Sequence, residues 1–299
     1  MSSAAPLFSN TALNPASYLP SQGADLTALV KQLTEEAFDL ISSTDSWPKG
    51  KVFMAKNKVA DGGPVQTRSK SNKAIMHGRL AKCAWHLRES THPVDGLFLN
   101  FDDFRSGLLI DHLAHEAEYI PGIVHSETIE VLQEGTASVI FAKYKLPIVT
   151  ADRDFSELLI TVDLPPHAAP FSPAHKVAIK EAQLGINPSP PTHANEAGGL
   201  RSFLVIQVPV VHPKTPEEKA YVRGAYASVE AVYEGSGPTG SQTIWKMATQ
   251  SDARGTIPLF LSESSLPGKI SEDVPEFIHW AKARKQKASV PPAAASTDN

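Results

Sequence analysis

Cysteine is almost missing from this 299-residue chain: Cys83 stands alone. An internal disulfide framework and a multi-cysteine metal site are therefore excluded. A surplus of positive charge is missing too. Lys and Arg number 28 against 32 Asp and Glu, a formal net charge of −4, which leaves no basic face of the kind nucleic acid requires. No run approaches the roughly eighteen apolar residues of a membrane span. Met1–Ser21 is rich in Ser, Ala and Pro without an apolar stretch, unlike a secretory leader. Asn187 is followed by Pro188, so no Asn-x-Ser/Thr acceptor survives. These absences lead to the expectation of a soluble, cytoplasmic protein with no nucleic-acid partner and no cofactor. Transient membrane contact stays open, and nothing in the sequence fixes the oligomeric state.

Hydrophobic residues make up 41% of the chain and charged residues 20%, a globular balance with enough apolar material for a sizeable core. Leu26, Leu29, Val30, Leu33, Ala37, Leu40 and Ile41 recur at helical spacing and predict a helix from about Asp25, its cap, to Ser42. Trp47-Pro48-Lys49-Gly50 ends it, and a short strand is expected at Val52–Ala55. Asp61–Lys73 is polar and reads as a loop. Trp85–His92 alternates like a strand. Phe101–Tyr119 reads as one helix capped by Asn100 or Asp102 and stopped by Pro121-Gly122.

From there the period drops to two. Ile123–Leu132, Ala137–Tyr144 and Phe155–Leu164 read as strands, with Glu134-Gly135 turning between the first pair. Pro165–Gly199 is proline-rich and reads as an inserted excursion with a short helix at Lys176–Leu184. Strands resume at Phe203–Val211, where Pro209 predicts an edge or a bulge, then at Tyr221–Tyr233 and Gln242–Ala248. A final helix starts near Pro258, is interrupted at Pro267-Gly268 and ends near Lys287. Its basic end, Lys282, Arg284, Lys285 and Lys287, suits the helix dipole. A sheet followed by one long closing helix is the order of an α+β helix-grip fold, in which a curved antiparallel sheet wraps the C-terminal helix and leaves a cavity. The expected organisation is a tail at 1–24, one domain at 25–287 with an insertion at about 165–200, and a second tail at 288–299.

Several polar groups sit where chemistry could use them. Gly235-Ser236-Gly237-Pro238-Thr239-Gly240 has the spacing of a dinucleotide loop, but an alternating segment follows it where that mechanism needs a helix, so it reads as a hairpin. His112, His115 and Glu116 fall on one side of a helix, with Asp111 in reach of His115. They fit a polar helix face, the lining of a ligand cavity with general acid or base capacity, or a metal site whose spacing is not H-E-x-x-H; no metal is expected. His86, Arg88, Ser90 and His92 share one face of their strand. That face looks either to water, leaving Trp85 and Leu87 inward, or into the cavity, where Arg88 would need a carboxylate or an anionic group. Arg153 and Asp154 read as a local ion pair. No nucleophile elbow, phosphate loop or paired-cysteine motif is present.

Five segments together resemble a known family: Trp85–His92; Phe104 through His112-Leu113-Ala114-His115-Glu116-Ala117-Glu118-Tyr119-Ile120-Pro121-Gly122; Ala151-Asp152-Arg153-Asp154-Phe155; Phe203–Pro209; and Ala248–Pro258. Over roughly Asp25–Lys287 the chain resembles the uncharacterised fungal START-like domain, a branch of the steroidogenic acute regulatory protein-related lipid-transfer superfamily. The resemblance implies a helix-grip fold around an apolar tunnel that binds, and in some members transfers, a sterol, lipid, polyketide or terpenoid-like molecule. On that footing Arg88, Ser90 and His92 are candidates to meet a polar head, Tyr119, Tyr226 and Trp245 to give wall contacts, and Phe260 and Leu261 to supply the helix side. A cyclase or isomerase using His112, His115 or Glu116 in the same cavity is the alternative. A non-catalytic interaction module with a filled cavity is the third.

Overall fold

The computed structural model describes residues 26–54, 62–76, 79–94, 99–146, 151–183, 199–238, 240–257 and 259–289. The tail at 1–24, the cap at Asp25, Ala55, Leu184, Pro258 and the residues after Ser289 lie outside them. The helix predicted first runs over Leu26–Ser43 (α1), and strands follow at Lys49–Met54 (β1), Pro64–Met76 (β2) and Arg79–Pro93 (β3). Next come Phe101–Phe104 (α2) and His112–Tyr119 (α3), then Ile123–Gln133 (β4), Ala137–Tyr144 (β5) and Asp152–His167 (β6). Pro173–Gln183 (α4) precedes Leu200–Pro209 (β7), Tyr221–Arg223 (β8), Ala225–Gly237 (β9), Gly240–Asp252 (β10) and the closing helix Leu259–Ser289 (α5).

The strands form one curved sheet in the order β1-β2-β3-β10-β9-β7-β6-β5-β4, antiparallel throughout except where β8 lies parallel to the start of β6. Side chains alternate between its faces, and both faces are covered. On the convex side α1 and α4 pack Leu33, Phe38, Ile41 and Ile179 onto Trp85, Leu87, Ala248, Val229, Ile206 and Leu158. Each fully buried aliphatic or aromatic chain of this layer contributes about 1.5–3 kcal/mol. On the concave side α5 lays Val274, Phe277, Ile278 and Ala281 against Trp245, Val232, Val205 and Phe203, with α2 and α3 closing the flank. This is the helix-grip arrangement.

Several expectations change in the structure. The polar stretch read as a loop is most of β2. Its pairing to β1 and β3 satisfies the backbone on both sides, and Thr67 is buried with its hydroxyl donating to the Lys51 carbonyl at 2.7 Å; backbone pairing, not a hydrophobic period, makes this strand. Pro209 is not on an edge strand. It is the last residue of β7, beyond the point where pairing to β9 stops at Gln207, so on that side its missing N–H leaves no bond unmade. The segment read as one strand at Tyr221–Tyr233 divides at Gly224, which packs so tightly under the Phe155 ring that a Cβ would stand 2.4 Å from it. β6 continues through Pro165 and Pro166 to His167, and α4 docks on α1 through stacked Phe38 and Phe171 rings 5.1 Å apart. The closing helix runs on through Pro267 and Pro275 to Ser289. Ser271 donates back to the Pro267 carbonyl at 2.7 Å, and buried Ile270, Val274 and Phe277 offset the lost backbone bonds.

The helix expected over Phe101–Tyr119 is also broken. Asn100 caps it through a capping box with Asp103, but residues Arg105–Leu109 form a π turn, Asp111 is left-handed with φ 47°, and the helix restarts at His112. Gly107 explains the detour. A Cβ there would lie 2.6 Å from the Phe277 ring and 2.9 Å from Trp280, so the widened turn brings bare backbone against α5. Gly107→Ala is expected to lower stability by about 1–3 kcal/mol, read as a fall in the denaturation midpoint. A variant as stable as the parent would show that the contact is slack.

Candidate functional site

The concave face carries an unusual load of polar groups for the interior of a sheet. The alternation of β3 brings His86, Arg88, Ser90 and His92 to this face, and all four are buried. The water-facing reading of that set is overturned: Trp85 and Leu87 are also buried, but against α1 on the other side. Arg88 is 1% exposed. Its guanidinium lies 3.8 Å over the Trp245 ring, its Nη2 is 3.5 Å from Glu230 Oε2, and its Nε is 4.0 Å from Asp273 Oδ2. Nε and Nη1 have no hydrogen-bond partner. Trp245 Nε1 donates to the same Glu230 oxygen at 2.6 Å. Ser90 and His92 satisfy each other at 2.9 Å, and burial, reinforced by Arg88 and Lys282, holds the His92 imidazole down to about 3.

A second group sits deeper. His112 Nδ1 donates to the Leu108 carbonyl at 2.6 Å, which leaves Nε2 to accept from Gln207 Nε2 at 3.1 Å. Gln207 Oε1 in turn accepts from the Tyr226 hydroxyl at 2.6 Å. The chain Tyr226–Gln207–His112 thus has one direction, set by a backbone carbonyl at its end. Glu116 lies 3.7 Å from His112 Nε2. Burial pushes the Glu116 carboxyl up, and Glu230 adds to that while His112 opposes it. Burial likewise raises Asp273 to about 7 despite the pull of Arg88, and raises the phenols of Tyr119, Tyr144 and Tyr226 well above their usual value. Glu157, on β6, is 1% exposed, neither of its oxygens is hydrogen-bonded by a side chain, and burial pushes its carboxyl well above the usual range against the pull of Arg223, Arg254 and the Tyr226 backbone.

These groups lie on the side of the sheet that the closing helix covers. Glu116 and Asp273 feel burial as the largest influence on their acidity, yet their side chains keep 16% and 26% of their accessible surface. Tyr144, Phe155 and Tyr226 are also only partly covered. Some accessible surface thus survives among groups on the covered side of the sheet. A small recess of about 190 Å³, bordered by Gly62, His92, Leu99, Ile278 and Lys282, marks one end. The larger groove of about 940 Å³ runs along the rim of the sheet, between α1, α4 and the β4–β5 turn, and none of Arg88, Glu116, Glu157, Glu230 or Asp273 lines it. Volume favours the rim groove; the buried unpaired charge favours the interior, and charge placement is what a site must explain.

The sequence candidates divide accordingly. Arg88, Trp245, Tyr119, Tyr226, His112 and Glu116 face the interior group, with Ser90 and His92 toward the small recess. His115 turns away: its ring packs 5.0 Å from Trp280, and Arg284 donates to its Nε2. Burial and the charge of Arg284 lower its pKa. Phe260 and Leu261 are 69% and 49% exposed, at the free first turn of α5, and do not form a cavity wall. Among the described residues no three His, Cys, Asp or Glu side chains gather into a metal-binding cluster. Arg153 and Asp154 are not a local pair. Arg153 donates to the carbonyls of Ala253 at 2.5 Å, Arg254 at 3.1 Å and Ala151, clamping the loop that leads into α5, while Asp154 takes Arg223 at 2.6 Å. Missed in the sequence were Glu157, Gln207, Glu230 and Asp273. The signal was there for two of them, since Gln207 and Glu230 are lone polar residues inside apolar strand runs.

Known proteins fit this picture. Human StAR-related lipid transfer protein 5 superposes with a TM-score of 0.55 at 13% identity, covering 87% of this chain and 99% of that one. Human STARD10 gives a TM-score of 0.52 at 13% identity, over 85% and 83% of the two chains. At such identity the likeness shows the fold alone, which is START-like. An uncharacterized protein of Schizosaccharomyces pombe, C577.11, is 22% identical over 199 residues, 66% of this chain and 67% of that protein. No helix among the described residues is long and apolar enough to cross a membrane. Residues 85–281, which carry β3, the π turn, the buried polar groups and most of α5, match the model of a protein family of unknown function, DUF3074, and the chain belongs to that family.

Proposed function

We propose that this protein binds one hydrophobic small molecule, a sterol, lipid, polyketide or terpenoid-like body, in the space between its sheet and closing helix. The observation that carries the reading is Arg88, a guanidinium 1% exposed with two N–H-bearing nitrogens left unpaired beside an apolar wall of Trp245, Val232, Val205 and Phe277. Unpaired donors in such a place cost about 1–3 kcal/mol, which a ligand oxygen bonded to them offsets. The apolar body adds about 25 cal/mol per Å² buried. That one of the two human structures, StAR-related lipid transfer protein 5, is named for lipid transfer supports the same class of ligand. Surviving interior surface argues against the filled cavity that an interaction module needs.

Titration with an apolar fluorophore tests this. Saturable binding at one per chain, displaced by a sterol or fatty acid and accompanied by quenching that is lost in Trp245→Phe, is expected. Non-saturable uptake would contradict the reading. A second reading, isomerisation or cyclisation of the bound molecule, is favoured by one observation: Glu116 faces the interior beside His112, and burial raises its carboxyl. The free nitrogen of His112 is occupied by Gln207, so it does not face a bound molecule directly. Chromatography of a polyketide or terpenoid incubated with wild type and with Glu116→Gln tests it; no conversion by wild type removes this reading.

A further inference from the structure

We propose that the Glu157 end of the interior takes the positively charged nitrogen of an amphipathic ligand, an alkyl ammonium with no phosphate or carboxylate of its own to offset the charge. This rests on the cavity reading above and names the ligand's second end. Along the sheet, Glu157 is four strand-to-strand steps and four residues from the row of Arg88, on the order of 20 Å over the surface. The two ends therefore meet different parts of one molecule.

Three observations carry it. Glu157 is fully buried, and neither of its oxygens is hydrogen-bonded by a side chain; the Tyr226 backbone is the one hydrogen-bonding group that acts on it. Rings stand around it: Phe155, two residues earlier on the same face, packs edge-on to Tyr144 at 5.3 Å and to Tyr226 at 5.1 Å, and all three rings keep accessible surface. Ring faces attract a cation within about 6 Å, most strongly where it has left water. Third, Arg88 offers Glu157 no compensation, since it already has Glu230 and Asp273 on either side; burial raises the Glu157 carboxyl, and a positive charge brought beside it would oppose that rise.

The cations that act on Glu157 from nearby are engaged elsewhere. Arg223 binds Asp154 and the Pro216 carbonyl, and Arg254 lies 3.9 Å from Asp252. The remaining charged or titratable neighbours are Tyr144 from β5, Tyr226 from β9 and Glu116 from α3, none of them cationic. A phosphate here would add an anion beside two carboxyls. A fixed positive charge does the reverse: it favours the ionised carboxylate, against the upward push of burial. Binding of the ammonium therefore lowers the Glu157 pKa and favours proton release.

Decyltrimethylammonium, decylamine, decylphosphocholine, 1-decanol and decanoate, each below its micelle concentration, distinguish the possibilities by calorimetry in two buffers of different ionisation enthalpy. The two cationic probes are expected to bind at least tenfold tighter than the other three and to release a proton that decanol does not. Glu157→Gln, its folding confirmed by a thermal melt, is expected to erase both the preference and the proton release. If decanol or decanoate binds as well as the cations, or Glu157→Gln keeps the preference, the ammonium site is wrong while the cavity stands. If no probe binds, both fall.

Discussion

Arg88→Met is expected to destabilise the fold by about 3–5 kcal/mol near neutral pH, the usual consequence of removing one partner from a buried charge pair. The volume is nearly kept, so the loss is electrostatic and not a cavity effect. Glu230 keeps its bond from Trp245, but it and Asp273 lose the one guanidinium that faces them. Two consequences separate this account from a simple packing defect. Arg88→Met combined with Glu230→Gln should recover a large part of the loss, because the penalty lies in the carboxylate left behind. The loss should also shrink as pH falls, since the orphaned carboxyls then take up protons. Urea denaturation of the three proteins measures both. An Arg88→Met variant within about 0.5 kcal/mol of wild type would mean that Arg88 compensates nothing.

Asp273→Asn is expected to act in the opposite direction and only at higher pH. Burial holds the Asp273 carboxyl at about 7, against 3.8 for an unperturbed group. Between those two values the folded chain keeps a proton that the unfolded chain has lost. Stability attributable to this group is therefore intact below about pH 4 and is lost as pH rises toward about 7. The full cost above that window is on the order of 3 kcal/mol, reduced by the partial exposure of the side chain. Asn cannot ionise, so the variant should match wild type near pH 4 and exceed it near pH 8. Glu116 and Glu157, both raised by burial, keep part of the slope in the variant. Denaturation midpoints across pH read this directly, and parallel curves would show that Asp273 ionises freely in the fold.

Much of the architecture was legible because the elements carry period and punctuation. α1 and β5 follow their expected bounds closely, and the turn of the β9–β10 hairpin falls in the Gly-rich segment expected for it although both strands differ in extent, since apolar spacing and Gly-rich turns decide these features locally. β2 was not legible, because its partners, not its own side chains, make it a strand. The π turn at Arg105–Leu109 depends on Phe277 and Trp280, some 170 residues further along the chain, and no local pattern carries such a contact. Pro267 misled for a related reason: propensity predicts a break, and burial of the flanking turns overrides it.

The site was half legible. Arg88 was singled out by its strand face, but two-sided burial of β3 was not expected, because a strand with Trp85 and Leu87 on one side looks complete with water on the other. His112 and Glu116 converge on the interior as helical spacing allows, whereas His115 is drawn to Arg284 on a helix whose approach the sequence does not reveal. Glu230, Asp273 and Glu157 come from β9, α5 and β6. They become one constellation only when the sheet curls, so their shared field is a property of the fold and not of any segment.

Native mass spectrometry of the freshly purified full chain, before and after organic extraction, tests the central claim most directly. The account predicts a one-to-one adduct of a hydrophobic molecule that extraction removes and re-addition restores. A chain that carries nothing, and takes up no sterol, lipid or alkyl ammonium when these are supplied, would contradict it.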